Sequence, residues 1–192
     1  MTTGRRRPHP SPPLAHEVVG ADTALVWSRE PEAVSWGTLK LLAPELYELG
    51  RLRLVETRLA LLATLQRDGV PRISPIEPYF SGKELVFGAL EWSLKAHDLL
   101  RDPRCALHSV VTGPDNGEPE FKLYGDAYQA DEDLRRSCSE GWWNAGTPRD
   151  AIVFVMRIDR AASIEWNIQT TEMLVRRWSG SRGYSATHRT YP

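Results

Sequence analysis

Along most of the chain, apolar and polar residues alternate in short runs, and only a few stretches repeat at helical spacing. Over residues 43–57, Leu46, Leu49 and Leu52 follow Leu42 on one side of a predicted helix, with Pro44 suited to its first turn and Gly50 weakening its middle. Residues 58–66, RLALLATLQ, form a nearly continuous apolar run that stops at Asp68-Gly69, a hairpin signal. The strand that follows begins near Val70. Alternation puts Arg72, Ser74 and Ile76 on one of its faces, while Pro71, Pro75 and Pro78 deny it a full set of ladder bonds, so it is predicted at a sheet edge. Ser81-Gly82-Lys83-Glu84 turns the chain into a strand over 85–90. Further strands are predicted over 105–111, 120–130 and 151–159, with 164–168 as a candidate seventh.

Between two of these strands lies EWSLKAHDLLRDPR. Ser93 is a preferred N-cap, Trp92, Ala96, Leu99 and Leu100 recur on one helical face, and Pro103 disfavours helix at Asp102. Asp131 is placed to cap another helix reaching about 138–140, followed by a bulky loop with Trp142 and Trp143. Six or seven strands at hairpin-like spacing, with one helix between them, predict a mainly β (α+β) fold: a small antiparallel barrel with a few flanking helices rather than a parallel α/β sheet.

The length of 192 residues suits one domain, expected over 36–192. Residues 1–35, with Arg5, Arg6 and Arg7 among prolines, read as a disordered or extended tail. A formal net charge of −1 gives no general attraction to nucleic acid. No stretch of 18 apolar residues suggests a membrane span, and no apolar core marks a signal peptide, so a soluble cytoplasmic protein is expected. Cys105 and Cys138 lack CxxC spacing, and the five histidines are scattered, so neither a disulfide nor a metal centre is predicted. GxSxG, GxxxxGK[ST] and GxGxxG are all missing, which leaves esterase, P-loop and Rossmann chemistry unsupported.

The residue types at 93–95 point to an anion. A helix start leaves backbone N–H groups unpaired beside the positive end of its dipole, and Lys95 adds a full charge there. An ordinary capped crossover helix with a solvated lysine has the same sequence. The wider pattern resembles the phosphate-binding signature of the pyridoxamine 5'-phosphate oxidase superfamily of flavin-binding split β-barrels, in which a strand leads to Ser-Arg-Lys, three residues, Leu, two residues and Asn-Pro. The matching stretch is Ser93-Leu94-Lys95, Ala96-His97-Asp98, Leu99, Leu100-Arg101 and Asp102-Pro103, with Leu94 replacing the family's Arg and Asp102 its Asn.

The resemblance implies a split barrel, a homodimer with a cofactor between subunits, and a small organic substrate exchanging hydride with that cofactor. It implies FMN, for which Ser93, Lys95 and the helix start are the expected phosphate clamp, Arg72 and Ser74 on one face of the proline-interrupted strand are placed to reach its ring or ribityl chain, and Lys122 is a further candidate, at the family's Arg in Gln-x-Arg with Glu120 replacing its Gln. The C-terminal segment lacks the Trp-Gln-Gly and Arg-x-His-x-Arg elements of true pyridoxamine phosphate oxidases, which speaks against vitamin B6 oxidation. It more closely resembles an actinobacterial branch linked to FMN or to the deazaflavin F420. Trp166, Arg176, Arg177 and Trp178 there are the expected substrate contacts, in a composition that suits a lid over the cofactor. An F420-dependent reductase is the first alternative. A non-catalytic flavin or haem carrier is the second, with His97 or His108 as axial candidates for haem.

Overall fold

The computed structural model describes residues 33–111, 119–141 and 151–190. Its elements, in chain order, are α1 (Trp36–Leu42), α2 (Pro44–Thr57), β1 (Ala60–Leu65), β2 (Pro71–Ile76), β3 (Pro78–Ser81), β4 (Glu84–Leu90), α3 (Leu94–Arg101), β5 (Arg104–Ser109), β6 (Glu120–Gln129), α4 (Glu132–Gly141), β7 (Ala151–Asn167), β8 (Glu172–Ser179) and β9 (Gly183–Thr190). The expected tail over 1–35 falls almost wholly outside the described residues, as do most of the 112–119 loop and the Trp142–Trp143 loop.

All strands join one antiparallel sheet in the order β2-β1-β5-β6-β7-β4-β3, and β8 and β9 extend from the far half of β7. The sheet is open, with β2 and β3 at its two ends, consistent with a split barrel. The proline-rich strand β2 lies at an edge, as its missing N–H groups require.

β7 is the hub. It pairs with β6, β4 and β8 in turn, which needs a 17-residue strand curved by a bulge opposite Tyr124/Gly125. A Cβ on Gly125 would lie 1.9 Å from the Arg157 carbonyl oxygen, so only glycine lets the two backbones approach this closely.

One face of the sheet carries the main core: Leu62, Leu85, Phe87, Leu107, Phe121, Leu123, Phe154 and Met156 are fully or almost fully buried there beneath α1, α2 and α3. Trp36 anchors the helical cover, its ring 4.9 Å from Tyr47, 5.2 Å from Phe80 and 6.1 Å from Phe121. The opposite face of β4–β7 buries Val86, Val153 and Val155 with Cys138 of α4. Cover on both faces explains why AIVFVM in β7 is continuously apolar instead of alternating.

The structure corrects the sequence reading in four places. Among the described residues there are nine strands, not six or seven, because the C-terminal segment read as a lid forms the β8–β9 hairpin and residues 78–81 pair with β4 as β3. The candidate strand 164–168 is the end of β7. Helix α1 went unpredicted. On α3 the buried side is Ala96, Asp98 and Leu99, whereas Trp92, 68% exposed and ahead of the helix, and Leu100 face outward.

Candidate functional site

The start of α3 is built as its sequence predicts. Ser93 holds extended dihedrals, its Oγ accepts from the Ala96 N–H at 3.4 Å, and its carbonyl accepts from Ala96 and His97. Asp102 closes the helix with its N–H on the Asp98 carbonyl. Its own carboxylate then takes the Arg104 backbone N–H and guanidinium, so it serves the turn into β5, and these bonds hold its pKa below the usual carboxylate range.

Lys95 reaches from α3 to the edge strand, where its Nζ donates to the Pro75 carbonyl oxygen at 2.8 Å. The side chain is half-buried, and loss of hydration lowers its pKa. Among the described residues no carboxylate lies within ion-pair distance of this ammonium. A half-buried cation whose one protein partner is a neutral carbonyl is a place where an anion would be stabilised.

Beside it, Arg72 of β2 donates from Nε to Asp98 Oδ2 at 2.7 Å and from a terminal nitrogen to the Gln66 amide oxygen at 3.2 Å. Asp98, only 4% exposed, also accepts from Thr64 Oγ1 at 2.9 Å and from Arg101 at 3.3–3.4 Å. Arg101 in turn bonds the Leu65 carbonyl. Burial raises the Asp98 pKa, but the hydrogen bonds from Arg72 and Thr64 outweigh it and hold the carboxylate below its usual range. Ser74 shares the inward face of β2 with Arg72 and Ile76. Arg72 and Lys95 thus each link β2 to α3, through Asp98 and through the Pro75 carbonyl, with Ser74 between residues 72 and 75 on β2 and Ser93 capping α3.

Lys122 is not with them. The register runs Pro75, Leu61, His108 and Lys122 across β2, β1, β5 and β6, so Lys122 lies on the face opposite Arg72 and Ser74. Its Nζ pairs with Glu120 at 2.6 Å, with His108 Nε2 3.8 Å from the same carboxylate and His108 Nδ1 2.6 Å from the Ser109 carbonyl oxygen. Within one chain, a single ligand cannot touch both Lys122 and Arg72.

The tail residues divide in the same way. Arg177 and Trp166 lie on the Lys122 face; Ala162 stands between Lys122 and Arg177 in the register. Arg176 and Trp178 point to the core side instead. Trp178 is 4% exposed within the main core, and Arg176 bonds Glu45 of α2 at 3.1 Å and also Glu165. Tyr184 of β9 adds a 2.7 Å bond to Glu45, which together with Arg176 lowers that carboxyl's pKa. These contacts make Arg176 and Trp178 fasteners between the hairpin and α2.

Sequence reasoning missed Asp98, Thr64, Gln66 and Arg101. Asp98 carried a signal: it falls within the arc of Ala96 and Leu99, and a carboxylate on a buried helical face requires cations. His97, one of the two haem candidates, is exposed on α3.

No protein-family model and no curated protein matches the sequence. Solved structures do. A pyridoxamine 5'-phosphate oxidase-related, FMN-binding protein from Nostoc punctiforme is 16% identical, covering 80% of this chain and 97% of that one, with a TM-score of 0.54. PhzG from Burkholderia lata, solved with tetrahydrophenazine-1-carboxylic acid, is 13% identical over 84% of this chain and 94% of its own, with a TM-score of 0.57. The open antiparallel sheet, matched over nearly the whole length of both of those proteins, gives this chain the same split-barrel fold as the FMN-binding Nostoc protein and PhzG.

Proposed function

We propose that this chain is a flavin-binding oxidoreductase that holds the phosphate of FMN where α3 crosses β2. The observation that carries this reading is Lys95: a half-buried ammonium at the N-terminal turn of a capped helix, bonded to a neutral carbonyl of the strand that also carries Arg72. Ser93 and Ser74 add hydroxyls, so the donor set suits a phosphate monoester. The Nostoc relative of the same fold is an FMN-binding protein, which favours that cofactor over F420. When bound, the flavin supplies hydride transfer. The chain's own part is to clamp the phosphate, orient the ring and keep water from its reacting face.

The face bearing Lys122 has a role if the protein is a homodimer. Leu61 and Ile73 are exposed there, Ile73 to 69%, and Pro71 and Pro75 lie beside them, an apolar surface on the outer side of β1–β2. A second subunit covering that surface would leave Lys122, Arg177 and Trp166, on the same face of the sheet, at or beside the subunit contact, and we infer substrate contact there for Arg177 and Trp166.

Absorbance spectra and calorimetric titration with FMN, F420 and haem test the reading. FMN is expected to bind and give a shifted flavin band, and Lys95→Ala is expected to weaken it by about 1.5–3 kcal/mol without unfolding the protein. Preferential binding of F420 moves the reading to a deazaflavin reductase, and a Soret band with no flavin binding moves it to a haem protein.

A further inference from the structure

The flavin reading gives no task to Asp98, a buried carboxylate on which three elements converge. Thr64 Oγ1 of β1 donates to its Oδ2 at 2.9 Å, Arg72 Nε of β2 donates to the same oxygen at 2.7 Å, and Arg101 of α3 donates to Oδ1 at 3.3–3.4 Å. The Asp98 side chain is 5% exposed and that of Arg72 23%. Stability alone is a weak reason for such a pair, because apolar residues of similar volume often serve a fold as well. We propose that Asp98 is a positioning residue for the flavin site: held by Thr64, it aims the Arg72 guanidinium at the bound cofactor and so sets the potential at which that cofactor is reduced. This inference rests on the flavin reading and deepens it.

Arg72 is fixed at two different nitrogens. Nε is bonded to Asp98 and a terminal nitrogen to Gln66 Oε1 at 3.2 Å, so the planar group is held in one orientation. A guanidinium has five N–H donors, and these two bonds leave three for a ligand. Asp98 is fixed in its turn by the buried Thr64 hydroxyl. The helix that carries Asp98 is also tied to β2 by Lys95, whose acceptor is the Pro75 carbonyl. Arg72 and that acceptor lie on one strand and both bind α3, so the phosphate clamp and the aimed cation share one rigid support.

A flavin ring gains negative charge on reduction. A cation fixed beside it therefore favours the reduced form, and one free to swing into water does so less. Thr64 and Gln66 carry no charge, so they influence the cofactor through where they hold Asp98 and Arg72. Asp98→Asn removes charge together with position, which makes the neutral partners the sharper probes.

The potential of bound FMN, measured by equilibration with a reference dye, tests the proposal in the wild type, Arg72→Ala, Thr64→Val, Thr64→Ser and Gln66→Ala. Arg72→Ala is expected to shift the equilibrium against reduced flavin about tenfold, about 30 mV for a two-electron couple. Thr64→Val and Gln66→Ala are expected to shift it in the same direction by roughly threefold, whereas Thr64→Ser keeps the hydroxyl and the wild-type potential. Added to Arg72→Ala, neither neutral substitution is expected to shift it further. Gln66 is only partly buried, so Gln66→Ala folds and decides the matter even where Thr64→Val does not. A shift that persists in full in the Arg72→Ala background overturns the proposal. A wild type that does not bind FMN removes the flavin reading and this inference together. FMN bound at a potential indifferent to both neutral substitutions removes this inference alone.

Discussion

At the scale of the residue, two side chains next to each other on α3 pull in opposite directions. Asp98 accepts from three side chains, whereas the half-buried Lys95 has a single carbonyl partner in the protein. Asp98→Asn is expected to lower stability by about 2–3 kcal/mol at neutral pH, because two guanidiniums lose the carboxylate that pairs them, though both retain some access to water. The carboxyl's pKa is lowered in the folded protein, so its stabilisation is present above the ordinary carboxylate range and is lost as pH falls through that lowered value. Urea unfolding between pH 7 and pH 2 is expected to show a falling midpoint in the wild type and a flatter one in Asp98→Asn. Lys95→Met is expected to stabilise the cofactor-free protein by about 0.5–1 kcal/mol while weakening flavin binding, the opposite signs expected of a functional cation. A lower melting temperature together with unchanged flavin affinity would make Lys95 purely structural. Arg176 and Arg177 are adjacent in sequence and separate in role: Arg176→Ala should lower the melting temperature, whereas Arg177→Ala should leave it unchanged and alter substrate KM.

At the scale of the element, Gly50 shows how packing overrides propensity. Glycine in the middle of a helix is unfavourable, and it weakened the prediction of a helix over 43–57. In the structure α2 passes so close to the Phe121 ring that a Cβ at position 50 would meet ring carbons at 2.3–2.7 Å. Alanine there would gain about 1 kcal/mol of helix propensity, and overpacking a core costs about 1–3 kcal/mol. The ring is fully buried and bounded by Trp36, so it has little room to yield. Gly50→Ala is therefore expected to lose about 1–2 kcal/mol by chemical denaturation, and a stabilised variant would show that α2 can lift off the sheet. The same logic governs α3, whose orientation is set by Asp98 and Lys95 bonding across to β1 and β2 as well as by Ala96 and Leu99 beneath it.

At the scale of the whole molecule, the β8–β9 hairpin is fastened to the barrel by Trp178, Arg176 and Tyr184. Truncation before Arg176 removes a buried tryptophan worth about 3–5 kcal/mol and is expected to lower the melting temperature by roughly 10 °C. A lid would instead leave melting unchanged and speed reoxidation of bound reduced flavin by oxygen, so the two measurements on one truncated protein separate these roles. The exposed outer face of β1–β2 carries the assembly prediction. Ile73→Glu is expected to give a monomer by light scattering and to reduce flavin affinity with it; a variant that stays dimeric places the subunit contact elsewhere. No helix among the described residues is long and apolar enough to cross a membrane.

What the sequence determined by itself was local. Prolines at 71, 75 and 78 forced β2 to an edge, Ser93 and Pro103 bounded α3, Asp131 capped α4 through the Leu134 N–H, and alternation put Arg72 with Ser74. Each follows from steric or hydrogen-bonding limits acting over a few residues, and the hairpin-like spacing of the strands carried the mainly β class with them, though not their number. Only the tertiary structure decided which face of the sheet each strand's residues met. Lys122 is as basic as Arg72, and Arg177 as basic as Arg176, yet a strand's two faces lead to different surroundings, and those depend on register with strands distant in sequence. The Asp98 network has the same origin: Thr64, Arg72 and Arg101 converge on one carboxylate because α3 crosses the β1–β2 hairpin, a juxtaposition set by burying Ala96 and Leu99 that no local pattern encodes.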